Sequence, residues 1–205
     1  MLIDLKVLVK KYNLEINGII HVGAHTLEEK SVYDSLNIKN VLWFEANYEI
    51  ANSMKAQFPN EKIYSYAICD VDNQDKDFIV TNNYQSSSIL ELKTHKIEHP
   101  HVTELKRISV KTKTLDTFIM ENNMNYYDYN FLNMDIQGAE LLALKGAEKL
   151  LSSLEYIYLE VNEKELYEGC GLLSEIDVFL QNFRFKRVEI NMTPHGWGDA
   201  FYIKI

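Results

Sequence analysis

Apolar positions along the chain alternate between helical spacing and short continuous runs, so helices and buried strands succeed one another. Leu2, Leu5, Val9 and Tyr12 recur at helical spacing and predict an amphipathic helix over residues 2–12. The run Gly18-Ile-Ile-His-Val-Gly23 reads as a buried strand ending on a glycine. Thr26-Leu-Glu-Glu29 has the capping-box pattern, Thr at the cap and Glu three residues on, and predicts a helix to about residue 36. A strand at 41–45, a helix at 48–58 stopped by Pro59 and a third strand at 63–69 complete this part.

After Asp70 the pattern changes. Asp70-Val-Asp-Asn-Gln-Asp75 is a turn signal, 77–81 reads as an added strand, and 82–107 is polar and irregular. Residues 108–114 alternate apolar and polar like an edge strand, and a short helix begins near Leu115. The segment 82–107 is therefore expected to be a variable loop over one face, where substrate selection resides. Regularity returns with a strand at 129–135 and a helix at 138–151, interrupted by Gly146, since glycine inside a helix costs about 1 kcal/mol relative to alanine. A strand at 156–161 and a helix at 172–183, apolar along Leu173, Ile176, Leu180 and Phe183, follow. Strands at 185–190 and 200–205, joined by a turn-rich connection, predict a hairpin and so one antiparallel strand in an otherwise parallel sheet. The expected class is α/β, with residues 1–205 as a single domain without repeats or linkers.

Composition narrows the function. At 205 residues with 46% hydrophobic side chains, the chain is long enough to bury a substantial core and is not a disordered one. No apolar run approaches the ~20 residues of a membrane span. Charges at Asp4 and Lys6 stand where a secretory signal needs apolar residues. A net charge of −9 argues against a general nucleic-acid binder. Two cysteines, Cys69 and Cys170, make neither a disulfide framework nor a zinc set; reduced thiols in a cytoplasmic protein are expected.

In an open α/β sheet, ligands bind beyond the carboxyl ends of the strands, where strand order reverses. Four such ends carry polar groups: His21-Val-Gly-Ala-His25, Phe44-Glu-Ala-Asn47, Ala67-Ile-Cys-Asp70 and Asn133-Met-Asp-Ile-Gln-Gly138. The first lacks the Gly-x-Gly-x-x-Gly fingerprint, and no Gly-x-x-x-x-Gly-Lys-Ser/Thr loop occurs, so pyrophosphate binding is disfavoured. Glu45 follows Gly23 by 22 residues, against about 20 for a ribose-binding acid. A tight turn plus a ribose-binding carboxylate fits an adenosyl ligand without a pyrophosphate; the alternative is a turn glycine and a solvated strand end.

These blocks, with Trp43-Phe-Glu-Ala-Asn47, Lys113-Thr-Leu-Asp-Thr117, Phe131-Leu-Asn-Met-Asp-Ile-Gln-Gly-Ala-Glu140 and Leu144-Lys-Gly-Ala147, resemble the FkbM-type methyltransferases. The resemblance runs in order from about residue 18 to 205; the Asp-Ile-Gln-Gly-Ala-Glu block is its most specific part. It implies a Rossmann-like class I methyltransferase fold, a mostly parallel sheet of seven strands in order 3-2-1-4-5-7-6 with the last strand antiparallel and helices on both faces. It also implies S-adenosyl-L-methionine as cofactor. Residues His21 and Leu27 stand where the family's first motif usually carries Asp and a second glycine. By position, the resemblance implies a cofactor pocket from His21, Gly23, His25, Glu45, Ala46, Ile68 and Asp135. It implies O-methylation of a small molecule or of a sugar hydroxyl in a glycan or glycolipid precursor. The other reading is a degenerate Rossmann-like module that binds a nucleoside or a partner without catalysis.

A sugar hydroxyl is a weak nucleophile, so a base beside the reacting methyl is expected. Asp135 is the candidate, with Glu160 and Asn162 on the neighbouring strand and His195 near the rim; Asp135 alternatively caps the following helix. Glu140 reads as a structural hydrogen-bonding group. Ser87 and Ser88, with Gln137, are substrate candidates or plain loop, and Trp197 either stacks on a sugar or packs a turn. His95, His99 and His101 suggest a metal by spacing, but Pro100 and the want of a nearby Asp or Cys favour substrate contact or surface. Whether a metal takes part is unknown from sequence. Lys93, Lys96, Lys106 and Arg107 either attract an anionic substrate or are solvated; Tyr126, Tyr127 and Tyr129 read as packing residues.

Overall fold

The computed structural model describes residues 1–205. The first part of the chain forms α1 (Leu5–Tyr12), β1 (Ile19–Val22), α2 (Lys30–Ser35), β2 (Val41–Phe44), α3 (Tyr48–Gln57) and β3 (Lys62–Tyr64). The middle holds β4 (Ala67–Ile68), β5 (Asp75–Thr81), α4 (His95–Glu98), β6 (Glu104–Lys113) and α5 (Leu115–Glu121). The last part holds β7 (Phe131–Met134), α6 (Glu140–Lys145), α7 (Glu148–Ser153), β8 (Tyr156–Asn162), α8 (Leu173–Gln181), β9 (Phe185–Met192) and β10 (Trp197–Lys204).

Seven strands form one sheet in the order β3-β2-β1-β7-β8-β10-β9. This is the class I methyltransferase topology that the sequence implied. Strand β10 runs antiparallel to both β8 and β9, while β1 is parallel to β2 and β7. Alternate residues of the central strands enter opposite cores: Ile20, Leu42 and Leu132 join one cluster, while Ile19, Val41 and Phe131 join the other. Burial on both faces explains why these strands read as continuous apolar runs. Each such side chain contributes about 1.5–3 kcal/mol on burial. Val22 pairs with both Phe44 and Met134, so β1, β2 and β7 end level with one another. Strand order reverses between β1 and β7, and the crevice opens there.

Three expectations are corrected. The strand read at 63–69 is two strands: β3 pairs with β2, whereas β4 leaves the main sheet to pair with Thr112 and Lys113. Residues 108–114 are not an edge strand, because β6 lies at the centre of a second sheet of three strands, β4-β6-β5. Its alternation arises from one covered face, and alternation carries no information about lateral neighbours. The capping box at Thr26 does not form. His25 and Leu27 have φ of +41° and +58°, the left-handed region, so helical geometry is delayed to Lys30, and Thr26 Oγ1 turns to Glu28 at 3.3 Å.

The break at Gly146 is present, separating α6 from α7. A Cβ there would lie 2.1 Å from the Cys69 carbonyl oxygen and 3.2 Å from Thr114 Cβ, so the glycine lets α6 press against the end of β4. The cysteines Cys69 and Cys170 are free and buried, and no helix is long and apolar enough to cross a membrane. Gly146→Ala is expected to destabilise the fold by about 2–3 kcal/mol, because the obstacle is backbone. Urea unfolding measures this, and a loss below about 0.5 kcal/mol would show that the contact gives way freely.

Candidate active site

The turn after β1 is built around a close approach. Gly23 has φ of +86°, and a Cβ on it would sit 1.8 Å from the Asp135 carbonyl oxygen. Only glycine satisfies both conditions. Leu27 retains left-handed backbone and is buried in the core beneath the turn. Glu45, at the end of β2, holds the turn open: its Oε2 accepts the His25 N–H at 2.8 Å and its Oε1 accepts the Asn47 N–H at 2.7 Å. Burial pushes the Glu45 carboxyl upward, and these two donors pull against that shift. Asn47 in turn caps α3, accepting from the Glu49 N–H at 3.0 Å.

His21 is buried at the floor. Its Nδ1 lies 2.9 Å from the Tyr33 hydroxyl, which also accepts from Asn133 Nδ2 at 2.7 Å, and its ring lies 4.9 Å from that of Trp43. Burial drives its pKa down to about 4, so the imidazole is neutral at ordinary pH.

On the other side of Gly23 stand several acids. Gln137, with φ of +56°, directs one amide nitrogen at two carboxylates, donating to Asp135 Oδ1 at 2.7 Å and to Glu160 Oε2 at 2.8 Å. The amide is oriented from behind, since its Oε1 accepts the Tyr167 hydroxyl at 2.6 Å. The Ser88 hydroxyl donates to the Gln137 carbonyl at 2.9 Å. Asp199 lies opposite Glu160 in the β8–β10 register and accepts from the Tyr158 hydroxyl and the Leu2 N–H. Burial, then the facing Asp135 and Glu140 carboxylates, hold Glu160 well above the ordinary carboxylate range. Asp135 opens onto the cleft; the surrounding walls desolvate its carboxyl and raise it, but the Gln137 donor works against this. Glu160 is thus the protonated member of the pair and Asp135 the one that ionises first. Asp135 does not cap α6. No side chain caps α6; Glu140 instead holds the turn before it, its Oε1 accepting the N–H groups of Ile136 at 2.9 Å and Gly138 at 3.2 Å.

These groups line one cleft of about 380 Å³. Its lining includes His21, Gly23, His25, Glu45, Ala46 and Ile68 together with Asp135, Gln137, Glu160, Ser87 and Trp197. One wall is apolar, from Ile50, Ala67, Ile68 and Phe78. Three candidates lie apart from it. His195 is not on the lining; its Nδ1 lies 3.1 Å from Glu98 in an exposed pair and its ring centroid 4.8 Å from that of the lining residue His99. Ser88 sits behind Gln137, and Asn162 is wholly buried without a hydrogen-bond partner. Three of the four loop cations are paired with carboxylates: Lys93 with Glu165, Lys106 with Glu49, and Arg107 with Glu91 and Glu104. None of the four lines the cleft, which accords with the solvated alternative. No group of three or more His, Cys, Asp or Glu side chains is arranged to hold a metal ion.

Tyr167 and Asp199 were missed from sequence. Asp199 left a signal, an acid beside the apolar run Ala200-Phe-Tyr-Ile203. Tyr167 left none, because it lies in a connection between β8 and α8 without periodicity.

The buried Glu140 generates a pH dependence. Burial and the nearby Asp135 raise its pKa from the ordinary 4.5 to about 8. With a raised folded-state value, the stabilisation is full below the unfolded pKa and is lost as pH climbs toward the folded one. Glu140→Gln keeps an acceptor for both N–H groups and cannot ionise. Thermal melts at about pH 5 and about pH 8 are expected to move in the variant's favour as pH rises. A difference independent of pH would contradict the assignment.

Comparison with known proteins agrees with this architecture. Residues 21–187 match the Methyltransferase FkbM domain family. The 2-O-methyltransferase NoeI of Sinorhizobium fredii is 37% identical over 84 residues, which are 41% of this chain and 34% of that protein, so the likeness spans about a third of the relative. Magnesium protoporphyrin IX methyltransferase from Synechocystis, solved with bound S-adenosylmethionine, superposes with a TM-score of 0.53 at 9% identity, over 98% of this chain and 76% of that one. An S-adenosylmethionine-dependent methyltransferase from Clostridium acetobutylicum gives a TM-score of 0.51 at 6% identity, over 98% and 89%. This chain carries the S-adenosylmethionine-dependent methyltransferase fold and belongs to the FkbM methyltransferase domain family.

Proposed function

We propose that this chain is an S-adenosylmethionine-dependent O-methyltransferase acting on a sugar hydroxyl of a glycan or glycolipid precursor. The observation that carries the reading is the meeting, across Gly23, of a buried carboxylate at the end of β2 with the Asp135–Glu160 pair at the ends of β7 and β8.

The residues present fit the cofactor. Glu45 spends one lone pair per oxygen on backbone N–H groups and has the others free for ribose hydroxyls. Ala46 and Ile68, within the apolar wall, suit the adenine, and the turn from His21 to His25 would accommodate the methionine end. The cofactor, when bound, supplies a methyl group made electrophilic by a sulfonium. The carboxyl groups around the cleft favour that positive charge, because no lysine or arginine lines it.

The acceptor hydroxyl must be held in line about 3 Å from the methyl carbon, and its proton must leave as attack proceeds. Asp135 is the group to take the proton, since Gln137 fixes its carboxylate and Glu160 is already protonated. Gln137, Ser87 and Trp197 line the space beyond it and would orient the acceptor. The relative named as a 2-O-methyltransferase supports a hydroxyl acceptor.

Transfer of labelled methyl to a panel of glycosides tests the reading. Asp135→Asn is expected to lower kcat by about 10²–10⁴-fold, the usual contribution of a general base. Glu45→Ala is expected to act on cofactor affinity and leave kcat at saturation within about twofold. The base must be ionised, so the rate rises with pH through the Asp135 pKa, which desolvation lifts above the ordinary aspartate range. Full activity in both Asp135→Asn and Asp135→Ala would remove Asp135 as base.

A further inference from the structure

The six histidines fall into two groups. Three have a ring nitrogen engaged: His21 with Tyr33 at 2.9 Å, His25 with Glu28 at 3.3 Å and His195 with Glu98 at 3.1 Å. The rings of His95, His99 and His101 bond to no other side chain, and all three line the cleft. His95 is only 5% exposed, and its Nδ1 is buried with no partner. An unpaired buried nitrogen is unfavourable, and the ring that carries it stands on the cleft lining. The rings form one surface, with centroids 4.8 Å apart for His95–His99 and 6.1 Å for His99–His101.

Charge decides what that surface can take. Six acidic residues line the cleft, Glu28, Glu29, Glu45, Asp135, Glu160 and Asp199, and no lysine or arginine does. His95 and His99 do not replace the missing cations. Burial, then the neighbouring His99 and His101, bring His95 down to about 4, and burial with the neighbouring His195 lowers His99 as well. The Met1 ammonium, also on the lining, is already paired with Glu29 at 3.9 Å, so a phosphate or carboxylate would enter among like charges with no free cation to meet it. The three imidazoles instead offer ring nitrogens to hydroxyls, and the rings of Trp197 and Tyr84, also on the lining, offer apolar faces.

We propose that His95, His99, His101 and Trp197 form the acceptor subsite, and that it takes an uncharged glycosyl unit carrying no phosphate, carboxylate or nucleotide carrier. The proposal rests on the methyl-transfer reading above and narrows it. The methylation then follows the glycosyl transfer that separates the sugar from its nucleoside diphosphate, rather than preceding it.

The test is saturation-transfer difference NMR on the full chain loaded with demethylated cofactor. The probes are methyl glycosides of common hexoses and 6-deoxyhexoses, set beside the matching sugar 1-phosphates, uronic acids and nucleoside diphosphate sugars. Saturation is expected on one or more methyl glycosides, with the charged forms at least about tenfold weaker. His95→Phe and His99→Phe should each weaken the glycoside by about 3–10-fold, the worth of a hydrogen bond, with cofactor affinity held. His95→Gln should recover part of the loss. Equal or tighter binding of the phosphorylated forms would overturn the proposal, as would a glycoside signal indifferent to both phenylalanine variants. Cofactor binding without binding of any sugar would overturn it too, whereas failure to bind cofactor would strike the methyl-transfer reading instead.

Discussion

The backbone of Gly23 lies so close to the Asp135 carbonyl that no side chain fits between them, and this contact sets the distance between the two working ends of the cleft. β1 pairs with β2 on one side and β7 on the other, all three ending level. Glu45 reaches back from β2 to the turn at His25, while Asp135 stands immediately past β7. A single parallel strand thereby registers the carboxylate proposed to hold the ribose against the candidate base. The precision comes from the sheet, which is rigid because both faces are buried, and not from the loops.

Such a cleft concentrates negative charge where the fold also excludes solvent, and the protein manages the conflict in two ways. It keeps some acids protonated: Glu160 and Glu140 are raised by burial and by facing carboxylates. It also supplies donors to others, the Gln137 amide to Asp135 and the Tyr158 hydroxyl to Asp199. Tyr167 prevents the Gln137 amide from turning over, which would aim an oxygen at two carboxylates. Clusters of this kind add little to stability and are characteristic of sites where protons move.

Much of the fold was legible because the central strands are apolar apart from His21 and Asn133, and the helices between them are punctuated by Pro59 and Gly146. The terminal hairpin followed from two strands with a turn-rich connection. What escaped was lateral: alternation shows which face of β6 is covered and is silent on the strands beside it. In the site, strand-end acids and the turn glycine could be located by position along the chain. The role of Gln137 could not, since it depends on a left-handed backbone and on a tyrosine thirty residues away. Nor could the pairing of His195 with the exposed Glu98, which lies 97 residues away in the chain.

The central claim is that the crevice over Gly23 and Glu45, lined by acids and free of lysine and arginine, holds a sulfonium donor in preference to a diphosphate. Paired calorimetric titrations of the chain with S-adenosylmethionine and with a nicotinamide dinucleotide test this directly. Saturable micromolar binding of the first and no heat from the second is the predicted result. Binding of the dinucleotide alone, or of neither, would contradict the account.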